Sequence, residues 1–164
     1  MLIIFSGLPG AGKTTLARQL AGSLQAVYLR IDTIERALAA GDPDRPVGDA
    51  GYRIAYAVAE DNLRAGRTVV ADSVNPLEIT RNAWRSVAER AGVGAVDIEV
   101  VCSDQVEHRR RVETRSTEIP VTWHEVVTRH YEPWSRDHIR IDTAGEQIEQ
   151  SFARLQEKMR ATSR

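Results

Sequence analysis

Short apolar runs alternate along the chain with stretches whose apolar positions recur at helical spacing, the pattern of a parallel sheet flanked by helices. LIIFS (2–6) reads as a first strand, followed by a helix starting near Lys13 with Leu16, Leu20 and Leu24 on one stripe. AVYLRID (26–32) reads as a second strand and 33–40 as a short helix. A Pro/Gly/Asp loop covers 41–49, and 51–66 is an amphipathic helix closed by a glycine. RTVVADS (67–73) is a β-branched run expected to be buried on both faces, with a helix at 76–91 carrying Pro76 near its first turn. AVDIEVVCS (95–103) and HIRID (138–142) supply two further strands. Helices are expected at 104–115, 122–134 and 146–160, with STEIPV (116–121) as a mobile connection. The order is a strand followed by a helix, five times over.

Composition narrows the classes of function. At 164 residues the chain is about one domain long, and we expect a single domain over 1–164. A net charge of −1 gives no global field for nucleic acid or membrane, and no apolar run approaches the ~20 residues of a membrane span. The start MLIIF is too short and uncharged for a signal peptide, and the lone Cys102 has no intramolecular partner, so a cytoplasmic setting is expected. Only Lys13 and Lys158 among the 22 basic residues are lysine. Where arginine is the default, Lys13 marks a position that wants an ammonium.

Lys13 lies in GLPGAGKTT (7–15), which meets G-x-x-x-x-G-K-[ST] through Gly7, Gly12, Lys13 and Thr14, between a predicted strand and a predicted helix. A polyphosphate needs converging backbone N–H groups at the positive end of a helix, with no side chain in the way. Gly10, Ala11 and Gly12 keep that space clear; Pro9 has no N–H, so the donors begin at Gly10. Lys13 is expected to reach the β- and γ-phosphates, Thr14 to ligate Mg²⁺ and Thr15 to contact the α-phosphate of ATP.

In an open α/β sheet the working groups stand beyond the carboxyl ends of the strands. Asp72 closes the third strand, where it either holds a Mg²⁺-bound water beside Thr14 or caps a turn with Ser73 and Asn75. Asp32 closes the second, either as the base that takes a proton from an attacking hydroxyl or as a helix N-cap boxed with Glu35. HRRRVETR (108–115) puts Arg111 and Arg115 on one helix face, either as phosphate-facing arginines of a lid or as a solvated helix pairing with Glu107 and Glu113.

These residues together resemble the P-loop kinases of the nucleoside-monophosphate-kinase superfamily, in particular small bacterial AAA-type kinases similar to polynucleotide kinase, zeta toxin and chloramphenicol phosphotransferase. The likeness runs through GLPGAGKTT, LRID, VVADSVN, HRRRVETR and YEPW…IRIDT. It implies a three-layer α/β/α sandwich on a five-stranded parallel sheet ordered 2-3-1-4-5, with a small helical lid over about 108–122. It also implies ATP and Mg²⁺, with transfer of the γ-phosphate to a hydroxyl. On that resemblance Asp32 matches the general base, Asp72 the Walker B carboxylate, Arg111 and Arg115 the lid arginines, and Thr143 lies by the adenine. Two features depart from it: the substrate motifs of adenylylsulfate kinases are not evident, and the arginine that polynucleotide kinases carry three residues after the base is Glu35 here, with Arg36 next.

The expected acceptor is a small molecule or nucleotide-like compound. A polynucleotide 5′-hydroxyl kinase and an ATP-binding switch without acceptor are the alternatives, nucleic acid is not favoured, and the protein is a monomer or homodimer. Arg36, Arg53, Tyr56 and Asn75 are weak candidates for contacting the acceptor. The four histidines have no metal-like spacing and read as surface or helix-packing residues, and Trp123 and Trp134 read as core. From the sequence alone, Lys13→Ala is expected to abolish nucleotide-dependent activity first, checked by ATP turnover and by titration with a non-hydrolysable analogue.

Overall fold

The computed structural model describes residues 1–162 except 43, 45 and 116–120. Five strands, β1 (Leu2–Ser6), β2 (Val27–Arg30), β3 (Val69–Asp72), β4 (Ala95–Val101) and β5 (Ile139–Asp142), form one parallel sheet ordered β2-β3-β1-β4-β5. This is the expected order. It places β1 at the centre, with Leu2 beside both Val69 and Ala95.

The alternation of side chains along β1 divides the core into two layers. Ile3 and Phe5 face α1 (Lys13–Leu24) and α7 (Ile148–Thr162), packing with Leu16, Leu20 and Leu155. Leu2 and Ile4 face α3 (Ala50–Arg64) and α4 (Glu78–Arg90), packing with Ala59, Leu63 and Trp84. The buried side of α3 is Gly51, Ala55, Ala59 and Leu63, one residue per turn, and its small side chains let the helix lie close to the sheet.

Three expected boundaries move. The second strand ends at Arg30, and Ile31 and Asp32 already belong to α2 (Ile31–Gly41), so strand passes into helix without a loop. The helix expected from Pro76 starts at Glu78, because Asn75 is left-handed (φ 47°) and Leu77 is extended. The helix expected over 122–134 stops at Thr128, giving α6 (Trp123–Thr128). Arg129 is extended, and Pro133 both lacks an N–H and disfavours helix at Glu132. Residues 116–120 of the expected connection lie outside the described residues.

The segment after α6 becomes a strap held by Arg81. Arg81 is 1 % exposed, and its guanidinium donates to the carbonyls of Asn75, Pro76, Glu132 and Pro133. It also stacks on the rings of Tyr131 and Trp134 at 4.9 and 4.2 Å. Trp134 in turn donates to Glu99 of β4. One buried side chain thereby fixes both the 75–77 turn and the strap. Lysine offers an ammonium without the planar fork, so Arg81→Lys is expected to cost about 2–4 kcal/mol of folding stability by leaving carbonyls unpaired, read as a lowered urea midpoint with unchanged m-value.

Candidate active site

The loop between β1 and α1 is shaped by what packs behind it. Gly7 sits at φ +145°, and a Cβ there would lie 2.2 Å from the Val100 carbonyl oxygen of β4, so no other residue fits without moving the sheet. α1 begins at Lys13, directly after the left-handed Gly12, which aims the first N–H groups of the helix into a cavity of about 940 Å³. Gly10, Gly12, Lys13, Thr14 and Thr15 line that cavity, and Gly7 and Ala11 stand behind its surface.

Below the loop lies a buried charge cluster. Asp72, at the end of β3 and 1 % exposed, accepts from the Lys13 ammonium at 2.5 Å on one oxygen and from the Tyr28 hydroxyl at 2.7 Å on the other. The β2–β3 register sets Arg30 opposite Asp72, and the two-residue period puts Tyr28 on the same face. Arg30 Nε is 3.9 Å from the same carboxylate. Burial pushes the Asp72 carboxyl up, but Lys13 and hydrogen bonds from Tyr28 and Thr14 outweigh it and hold the group below the usual carboxylate range. The Thr14 hydroxyl and Asp72 carboxylate are hard oxygen donors within reach of one another, a pair that suits Mg²⁺ held largely by water and phosphate. Among the described residues no group of three or more His, Cys, Asp or Glu could hold a metal by itself.

At the far end of the same cavity, Asp32 is half exposed in the first turn of α2 and accepts from Arg30 Nη2 at 2.8 Å. It is not the N-cap: that position is Arg30, and no side chain caps the helix, so the expected box with Glu35 is absent. Glu35 lies one turn on and lines the cavity; burial first, then the Asp32 charge, raise its pKa, while Arg129 opposes the shift. Gly51 leaves room for it, since a Cβ there would come within 2.4 Å of Glu35 Cγ.

α5 (Gln105–Thr114) carries Arg111, whereas Arg115 follows it as an extended C-cap residue, so the two do not share a helix face as expected, although both line the cavity. Arg111 is firmly held: it donates to the Thr143 hydroxyl and carbonyl at 2.7 and 2.9 Å and to Glu107 at 2.6 Å. The Thr143 hydroxyl donates to the Ala11 carbonyl, so Arg111 braces the loop from behind. Arg115 Nε is buried with no hydrogen-bond partner among the described residues. Arg109 pairs with Glu113 and Arg111 with Glu107, the ion pairs that a solvated helix is expected to make.

Of the weak acceptor candidates only Arg36 reaches the cavity. Asn75 is fully buried and donates to Ser6, Tyr56 packs edge-on against Trp84, and Arg53 is exposed on the outer side of α3. The helical period explains the correction: on α3 it is Tyr52 that turns inward to the cavity. Arg30, Glu35, Tyr52 and Arg129 complete the far end, with Val74, Pro76 and Leu77 as an apolar wall.

A sequence family described as an AAA domain matches residues 2–136. A protein of Aeropyrum pernix named as a probable adenylyl-sulfate kinase is 27 % identical across 98 % of this chain and 93 % of its own length. The crystal structure of Chaetomium thermophilum Kti12 in complex with ADP-AlF3 superposes with a TM-score of 0.72 at 25 % identity, covering 97 % of each chain. The Mycobacterium tuberculosis APS kinase CysC, in complex with AMPPNP and APS, shares the fold with a TM-score of 0.70 at 18 % identity, covering 99 % of this chain and 97 % of its own. No helix among the described residues is long and apolar enough to cross a membrane.

The buried pair makes a pH-dependent contribution with a definite sign. Because the folded-state pKa of Asp72 is depressed, its stabilisation is complete above the unfolded carboxylate value and is lost as pH falls through the folded one. Asp72→Asn, which strands Lys13, is expected to cost about 3 kcal/mol at neutral pH. The gap in Tm between wild type and variant should narrow as pH falls below the usual carboxylate range, followed by calorimetry.

Proposed function

The chain belongs to this AAA domain family and has the architecture of the P-loop kinases, and from that premise we propose that it is an ATP-dependent phosphotransferase acting on a hydroxyl of a small-molecule or nucleotide-like acceptor. The observation that carries the reading is the continuity of one cavity from the phosphate loop to the Asp32 carboxylate. A switch that only binds and hydrolyses nucleotide has no use for an extension of that cavity walled by Val74, Pro76 and Leu77. The size of the cavity, within the range of small-ligand sites, suits two ligands meeting end to end.

In this reading the loop N–H groups and Lys13 hold the phosphates of ATP, Thr15 the α-phosphate, and Thr143 lies on the nucleotide side. Polyphosphate competes with Asp72 for the Lys13 ammonium. Thr14 and, through a bound water, Asp72 would hold Mg²⁺, which would supply positive charge against that developing on the phosphates. The acceptor hydroxyl attacks the γ-phosphorus, forming a new O–P bond as the bond to the β–γ bridging oxygen breaks. Its proton passes to Asp32, and ADP leaves. Arg115 faces the transferring group while Arg111 keeps loop and adenine side in register. Arg36, with Arg129 and Glu35, lines the acceptor end, and a carboxylate at Glu35 disfavours a polynucleotide phosphate beside the reacting hydroxyl. In this reading the chain is one kinase domain, cytoplasmic and monomeric or homodimeric; residues 116–120 of the expected lid over about 108–122 lie outside the described residues.

The test begins with a thermal-shift screen of metabolites, antibiotics and oligonucleotides against the protein with AMPPNP and Mg²⁺, followed by transfer from γ-labelled ATP to the hits. Asp32→Asn should leave analogue affinity within about threefold and cut transfer at least about 100-fold, the scale of general-base catalysis. Equal transfer by the variant removes Asp32 as base; a nucleotide-binding protein that labels no acceptor class favours the switch.

A further inference from the structure

His108, on α5, is buried at 7 % exposure, unlike a surface histidine, and its contacts converge on the phosphate loop. Its Nε2 lies 2.8 Å from the carbonyl oxygen of Pro9. A carbonyl only accepts, so Nε2 carries the proton and donates. No peptide bond of the described chain is cis, so the Pro9 carbonyl and the Gly10 N–H point in opposite directions from one planar unit. Anchoring the oxygen toward α5 therefore turns the Gly10 N–H away from α5.

Gly10 lies between α5 and the cavity it lines, and it presses closely on the helix. A Cβ on Gly10 would meet Val112 Cγ2 at 2.5 Å and His108 Cδ2 at 3.1 Å. The Gly10 N–H is also the first that the loop offers after Pro9, which has none. The other side of the imidazole meets Trp123 edge-on, with ring centroids 5.2 Å apart and planes at 79°. That contact fixes the ring independently of the loop. Trp123 opens α6, whose start is locked by the capping box of Thr122 and Glu125.

We propose that His108 is a positioning residue of the phosphate cradle: by donating to Pro9 it fixes the plane of the Pro9–Gly10 peptide so that the Gly10 N–H is presented to the nucleotide phosphates. The phosphate loop is then a two-part construction, in which a side chain remote in sequence sets the direction of a backbone donor. This role concerns nucleotide binding and holds whether or not an acceptor follows.

Two variants separate the hydrogen bond from the packing. His108→Phe keeps a ring against Trp123 and Val112 but cannot donate, and His108→Gln can donate through its amide but loses the ring. Titration of each folded protein with AMPPNP and Mg²⁺ should show His108→Phe binding about tenfold more weakly at near wild-type Tm, the scale of one neutral hydrogen bond. His108→Gln should bind within about threefold of wild type even with a lower Tm. The Gly10 amide resonance, shifted by AMPPNP in the wild type and in His108→Gln, should move markedly less in His108→Phe. Wild-type affinity in His108→Phe, or equal losses in both variants, overturns the proposal; in the second case His108 is only a packing residue.

Discussion

The buried ion pair between Lys13 and Asp72 ties the two halves of the site to the middle of the sheet. Lys13 is the first residue of α1 and Asp72 the last of β3, so the pair joins the loop to the strand next to β1 at the carboxyl ends where ligands meet the fold. An ammonium and a carboxylate withdrawn from water would be costly alone, and they are sustained by further donors from Tyr28 and Thr14. Because Arg30 approaches Asp72 and also binds Asp32, the same cluster extends to the far end of the cavity. Charges on four neighbouring elements, α1, β2, α2 and β3, are thus balanced against one another before any ligand contributes its own.

Around this centre the helices act as braces. Arg111 draws the turn after β5 onto the phosphate loop at Ala11, and His108 and Val112 press on it at Pro9 and Gly10, so α5 holds the loop at two places. Arg81 does the equivalent for the apolar wall of the cavity, gathering four carbonyls from two segments distant from one another in sequence. The directional demands of backbone N–H and C=O groups, more than apolar packing, decide where these irregular segments lie.

The parts of this arrangement that could be read from the chain are those whose neighbours lie close in sequence. Strand, loop and helix are contiguous around Lys13, and Asp72 stands at the end of an unmistakable buried strand. The parallel sheet flanked by helices was likewise legible from the alternation of apolar runs, and its order from the resemblance to P-loop kinases. Arg30 and Tyr28 were not, because their meeting with Asp72 depends on the register of β2 against β3, which no local pattern encodes. Tyr56 and Asn75 were misplaced because a helix or turn shows which residues share a face but not which way that face turns. His108 and Arg81 gave no signal, since the contacts of His108 to Pro9 and of Arg81 to the 131–134 segment cross to remote parts of the chain.

The topology of β1 carries a consequence for how the protein is assembled. Leu2 pairs with Val69 on one side and Ala95 on the other, so the most apolar strand of the chain has no sheet partner until β3 and β4 have been made. Such non-local parallel pairing is intrinsically slow and leaves an aggregation-prone run exposed meanwhile. During synthesis LIIFS is the segment most in need of shielding by a chaperone, and the loop that follows it acquires its shape late, after Val100 and α5 have closed on it.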